Sequence, residues 1–176
     1  MTPARRFLAF LSACAIALSV FAYVFSFFGA PVDKILPWSL VLFLGIIALI
    51  VPIYFLEYPA SRKWNWSWKE WARGMPSWVA PCFWLLELFA ATHFVWFALH
   101  SGAGVPDIID GQYVLDSHGQ IVKILTREEY LSLREAFLRV VATIMISLYF
   151  VPMMYWWFRQ SRPEASATPD DNSALP

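Results

Sequence analysis

Four ionisable side chains stand inside apolar runs of this 176-residue chain: Glu87, His93 and His100 in one run, and Arg139 in another. Each costs about 3 kcal/mol or more in hydrocarbon if unpaired, so such groups face a bundle interior and are drawn to partners. The chemistry they could support is a proton relay or a path for a small solute. Helix rise places Glu87 about 13 Å from the boundary at which its run begins and His93 about 22 Å, while Arg139 lies about 5 Å inside the far boundary. Arg139 is thus matched in depth to His93 or His100. It can also reach back to Glu135, four residues earlier on its own helix. Glu87 is the most isolated. Its face continues through Ala91, Phe94 and Ala98, whereas His93, Trp96 and His100 form a second face roughly 120° away. The alternative for Glu87 is a protonated carboxyl bonded to a Ser or Thr of a neighbouring helix.

Other groupings point to less chemistry. Bis-histidine haem needs ligands from opposing helices, and a compact metal site needs further His, Cys or carboxylate groups at one depth. Neither set is present, so no cofactor or metal is expected. Cys14 and Cys82 both fall towards the same end of their runs and read as packing residues, not as a disulfide. Asp116, Ser117 and His118 are consecutive, with Gly119 next. Side chains of neighbouring residues in extended or turn backbone diverge, whereas a nucleophile and its base must converge. Asp first and Gly last instead fit the tip of a β-hairpin, with a type I turn and a left-handed glycine beside a bulge.

The elements that carry these residues are apolar. The chain is 59% hydrophobic and 15% charged, with ten Trp and fifteen Phe. Runs at about 7–28, 36–56, 78–99 and 136–158 are each long enough to cross a hydrocarbon core of about 30 Å. The expected fold is an all-α membrane protein, four transmembrane helices with a small extracytoplasmic β-hairpin between the third and fourth, in the connection 101–135. Residues 161–176 read as a disordered cytoplasmic tail. Arg5 and Arg6, then Arg62, Lys63, Lys69 and Arg73, then Arg159 and Arg162 all fall on one side. Positive charge beside a span resists translocation, so both termini are expected in the cytoplasm. The formal net charge is zero and no basic block suits nucleic acid. The start, "MTPARR" and an apolar run, reads as an uncleaved anchor and not a signal peptide, because the run is too long and its end offers a poor cleavage site. Leu11, Ser12, Ala13 and Cys14 match a lipoprotein pattern, but too few apolar residues precede the cysteine.

The first run carries Ser12, Ala15, Ser19, Ala22, Ser26 and Gly29 at spacings of three and four, which lines small residues along one seam of a helix. Such seams let backbones approach closely in lipid. An intramolecular partner is the first expectation and a partner subunit the second. Pro52 and Pro152 lie at matching depths in the second and fourth runs, where each is expected to kink its helix. Trp64, Trp66, Trp68 and Trp71, with Lys69 and Arg73, suit the headgroup layer as an interfacial anchor. Ser67 and Glu70 form a capping box, which predicts a short helix there.

In the third connection, Thr126 followed by Glu129 is a second capping box, and the pattern beyond it runs unbroken into the fourth span. The hairpin at 112–125 is therefore expected directly on a helix that leaves the membrane. This stretch, with "DGQYVL", then His118-Gly119, then "EEY", resembles a segment of a group of small, functionally uncharacterised bacterial inner-membrane proteins. The resemblance covers about the last third of the chain and implies location, the inner membrane, without implying an activity. In size and span number the chain is also similar to the disulfide-forming quinone reductases. Their activity needs paired cysteines on the exported side, which this sequence lacks. Two functions remain: a non-enzymatic membrane subunit or accessory protein that docks a membrane or periplasmic partner through the hairpin, or a small proton-coupled transporter or channel, a homo-oligomer, using Glu87 and the His93, His100 and Arg139 cluster. A lipid-modifying enzyme is a third and weaker idea, with no nucleophile and base pair visible.

Overall fold

A computed structural model describes residues 3–28, 32–57, 75–102 and 104–158. They form α1 (Pro3–Phe25), α2 (Val32–Glu57), α3 (Val79–Ser101), β1 (Val105–Ile109), β2 (Gln112–Ser117), β3 (Gln120–Ile124) and α4 (Arg127–Phe158). Three helices, α1, α3 and α4, are long and apolar enough to cross a membrane. Within α2 the apolar stretch is the shorter Val41–Ile53. Helices run through both Pro52 and Pro152.

The centre of the molecule is α4. Just over half of its apolar window, 56%, is buried, against 22% for α1 and 11% for α3. Each of four successive core clusters contains its residues. At one end Phe150, Met154, Tyr155 and Trp156 pack with Ala9, Ile53 and Val79. Next, Met145 and Tyr149 meet Ala15, Ile46 and Leu49. Ala136 and Val140 then meet Phe97, and Tyr130 meets Leu115 and Leu125 of the sheet region. The other helices surround this one and turn large apolar side chains outwards, among them Phe10, Leu18 and Phe21 of α1 and Leu85, Leu88 and Leu99 of α3. That inverted pattern is what a lipid surround requires.

α1 lies along α4 more extensively than any other pair of helices meets. Ser12, Ala15, Ser19 and Ser26 are buried, Ala22 is half-buried, and Gly29 lies outside the described residues. The Ser12 and Ser19 hydroxyls donate to the carbonyls of Leu8 and Ala15 one turn back, at 2.9 and 2.8 Å. Their polarity is therefore satisfied within α1, and what they present to α4 is small size. On α4, Ala136, Ala142, Thr143 and Ser147 are buried as well, small residues that the sequence reading did not pick out.

The β element is larger than the expected hairpin. It is a three-stranded antiparallel meander in the order β1-β2-β3. The added strand, β1, contains Pro106, which suits an edge because proline has no N–H to give a ladder. Its turn to β2 is Asp110-Gly111, both with positive φ, and Ile109 pairs with Gln112 across it. This is the two-residue turn that an Asp-Gly pair between apolar stretches favours. The second turn also differs from expectation. Ser117 pairs with Gln120, so its loop is His118-Gly119 alone, with φ of 55° and 82°. Two left-handed residues belong to the primed turns that match strand twist, not to type I. The register shift falls opposite Leu115 and Asp116, away from the turn itself.

Besides its core contacts, α2 makes one close polar approach to α4. The Tyr149 hydroxyl donates to the carbonyl of Leu42, and it lies where a Cβ on Gly45 would stand. Gly45→Ala should therefore destabilise the bundle by about 1–3 kcal/mol through overpacking. Tyr149→Phe alone should cost about 0.6 kcal/mol, and the double variant should recover most of the Gly45→Ala loss because the colliding oxygen is gone. Reversible unfolding in mixed micelles, followed by helical circular dichroism, measures all three. Simple additivity would refute this contact.

Candidate functional site

The chemistry of the chain gathers where the helices meet the sheet. Three structures lie there: a polar clasp between helices, a rigid joint between β3 and α4, and a cleft between them.

The clasp starts at the end of α1. Ser26 Oγ donates to the carbonyl of Tyr23 at 2.6 Å and accepts from Arg139 Nε at 3.2 Å. The Arg139 guanidinium also reaches Glu135 at 3.4 Å, one turn earlier on α4, and lies 4.5 Å from the centre of the Phe27 ring. On the other side of α1, the Tyr23 hydroxyl meets His93 Nε2 at 3.1 Å. His93 Nδ1 is 3.1 Å from the carbonyl of Phe89. A carbonyl only accepts, so Nδ1 carries the proton, and in the neutral ring Nε2 accepts from Tyr23. Tyr23 and Ser26 thus connect α1 to α3 and α4. Ser26 entered the sequence reading only as a small seam residue, and Tyr23 did not enter it.

The joint follows from the second capping box. The Thr126 N–H donates to Glu129 Oε2 at 2.9 Å, and the Glu129 N–H donates to Thr126 Oγ1 at 3.2 Å. This reciprocal pair satisfies two of the free amides at the helix start. Lys123 of β3 adds an ion pair to Glu129 at 2.8 Å. The lysine bond foremost, and then the Thr126 amide, hold the Glu129 carboxyl below the ordinary glutamate range. Tyr130 is buried beneath the sheet, its ring tilted against that of Tyr113 with centroids 4.8 Å apart. Arg134 donates to the carbonyl of Pro106 in β1 at 3.1 Å. The sheet is therefore fastened to α4 at both of its edges.

The cleft has a volume of about 410 Å³. Trp96 and His100 of α3, Leu115, Lys123 and Leu125 of the sheet region, and Glu128, Glu129, Ser132 and Leu133 of α4 line it. His100 stacks on Trp96 at 4.1 Å, and its Nδ1 donates to the Trp96 carbonyl at 2.8 Å. In the neutral ring its Nε2 is then an acceptor. Sequence spacing places Trp96 and His100 on one face, but nothing local joins that face to a strand some twenty residues later.

The four intramembrane candidates do not form one cluster. His93 is bound to Tyr23, Arg139 to Ser26 and Glu135, and His100 to its own helix at the cleft. Glu87 is half-buried on α3 and has no hydrogen-bond or ion-pair partner among the described residues. At the hairpin tip, Asp116 Oδ2 accepts from the Gly119 N–H at 3.3 Å, and His118 is an exposed turn residue. Among the described residues no hydrogen bond joins Asp116, Ser117 and His118 side chains to one another, and no three His, Cys, Asp or Glu groups could hold a metal ion. Cys14 and Cys82 are free and half-buried. Trp64, Trp66, Trp68 and Trp71 lie outside the described residues.

The class these features define is a helical protein with three candidate membrane spans and a small antiparallel sheet braced on its longest helix. Comparison with family models, curated proteins and solved structures finds no match.

The lowered Glu129 carboxyl sets a pH dependence for the joint. A depressed folded value contributes stability that is complete above the ordinary value of 4.5 and is lost as pH falls through the lowered one. Hydrogen exchange at the Thr126 amide, corrected for intrinsic pH effects, should accelerate in that acidic window. Glu129→Gln should remove the pH response, and an unchanged acid transition in that variant would assign it to another group.

Proposed function

We propose that the chain is a multi-pass bacterial inner-membrane protein of four spans, with α2 as the fourth, both termini cytoplasmic and the sheet on the exported side. It acts there as a non-enzymatic membrane subunit or accessory protein that presents the sheet to a protein partner. The side assignment is supported by the Lys and Arg distribution and by the resemblance of residues 110–130 to small bacterial inner-membrane proteins. The length of α4 is consistent with it. Thirty-two residues span about 48 Å, against about 30 Å of hydrocarbon, so one end must project.

The observation that carries the docking reading is an asymmetry between the two sheet edges. β1 is protected by Pro106, Asp107 and the Arg134 bond to its backbone. β3 is exposed at all of its positions, with Ile121, Val122 and Ile124 turned out at 53–65% of their full area. Natural edges are usually blunted by charge or proline. Here the one charge on β3, Lys123, is drawn back to Glu129. An apolar, unpaired edge on a rigid mount is what a partner strand or apolar patch can use.

No observation favours the transport reading equally, because its four residues are held by separate partners or, for Glu87, by none among those described. In reconstituted vesicles Glu87→Gln should leave any pH-dependent flux unchanged, and a flux lost in that variant would restore the transporter. For the docking reading, the tagged protein is cross-linked in cells, extracted in mild detergent and its captured partner identified by mass spectrometry. Replacing the tip at Ser117 and His118, or Val122 and Ile124 with Ser, should lower capture by about tenfold or more and leave membrane insertion intact. Capture indifferent to both changes would overturn the sheet as the docking surface.

A further inference from the structure

The cleft is not accounted for by docking at the β3 edge. Ile124 pairs with Val114, whereas Lys123 pairs with Leu115, so strand alternation puts Ile124 and the cleft-lining Lys123 on opposite faces. The volume of about 410 Å³ falls within the roughly 300–1,000 Å³ of small-ligand sites. Its lining divides into an apolar part, Trp96, Leu115, Leu125 and Leu133, and a polar part, His100, Lys123, Glu128, Glu129 and Ser132.

The polar part selects for charge. Lys123 and Glu129 neutralise each other at 2.8 Å. Glu128 has no ion pair among the described residues. The cleft therefore keeps one uncompensated negative charge. In the neutral ring, with Nδ1 donating to the Trp96 carbonyl, His100 Nε2 adds a lone pair. Both groups call for a cation that carries N–H donors. A quaternary ammonium has the charge without the donors, and a phosphoglycerol head group has neither the positive charge nor an N–H. At the same time the Lys123 ammonium has three donors, of which the Glu129 contact uses one. The remaining donors suit an anion beside that cation. The apolar lining then continues onto the outward face of α3, where Val95 and Leu99 are exposed, and Trp96 is an interfacial residue type.

We propose that the cleft binds the head group of an aminophospholipid from the adjoining leaflet. Its primary ammonium is held by Glu128 and His100 Nε2, its phosphate lies towards Lys123, and its chains follow α3. The inference rests on the reading that the bundle spans the membrane with the sheet at its surface.

The test uses the full-length chain in nanodiscs of equal phosphatidylethanolamine, phosphatidylcholine and phosphatidylglycerol, with retained lipids read by native mass spectrometry. One phosphatidylethanolamine should be retained about tenfold over either competitor, the worth of one charge-assisted hydrogen bond. Glu128→Gln and His100→Phe should each reduce that preference; the phenyl ring keeps the stack on Trp96, so the bundle is left intact. Equal retention of the three lipids overturns the proposal, as does a preference that survives both substitutions. Soluble ethanolamine that binds with no lipid preference also overturns it, by making the cleft a site for a free amine. Carbonate extraction of the same protein from cell membranes separates the two levels of failure. Protein that leaves the membrane refutes the spanning reading, whereas protein that stays but shows no preference refutes the cleft assignment alone.

Discussion

The structure depends on α4 remaining a single helix from Arg127 to Phe158. In a lipid surround there is no hydrophobic gain in bringing one helix against another, since hydrocarbon tails are as apolar as leucine. Association must come from close van der Waals contact and from polar groups that find partners. α4 supplies both along its length: close packing where the small seam of α1 lies against it, Tyr149 where α2 meets it, Arg139 where α1 ends, and Tyr130 where the sheet is seated. A break in this helix would loosen the sheet from the bundle, because the buried seat of the sheet is on α4.

Polar groups within the helices serve that same end. Ser12, Ser19, Thr143 and Ser147 spend their hydroxyls on carbonyls of their own helices. They cost little desolvation, and they leave a narrow surface. His93 and Arg139 do more, since each reaches another helix through Tyr23 or Ser26. Both contacts fall in the last turns of α1, where the helix tightens and its closing carbonyls need partners. Two of the four residues expected to serve a transport path, His93 and Arg139, therefore have a structural use in joining three helices.

What could be read from the sequence was what is local. Span positions follow from runs of apolar residues. The Thr126-Glu129 cap depends on two side chains three residues apart, and Asp116 and Gly119 announce a turn by themselves. β1 was missed although Asp110-Gly111 is as direct a hairpin signal as any in the chain, because Pro106 and the glycines before it read as loop. The turn at His118-Gly119 was placed correctly and typed wrongly, since a left-handed histidine is uncommon. The Tyr23–His93 contact, the packing of the α1 seam on α4, and the cleft join residues far apart in the chain. No spacing rule reaches them, because they depend on which helix stands beside which.

A protein built this way concentrates its options at one end. Within the bundle the outward surface is apolar side chain suited to lipid, and apart from Glu87 the ionisable groups considered there are already bound. Beyond the last turns of α3 the surface changes character: an unpaired strand edge, an uncompensated carboxylate and a histidine nitrogen with a free lone pair lie within one small platform. The Lys123–Glu129 pair connects these features. Strand alternation puts Lys123 on the cleft side, so the face of β3 that carries Ile124 is left without a charge, and by neutralising Glu129 the lysine leaves Glu128 to set the charge of the cleft. One exposed ion pair, worth little as stability, thus marks the boundary between an apolar and a charged surface.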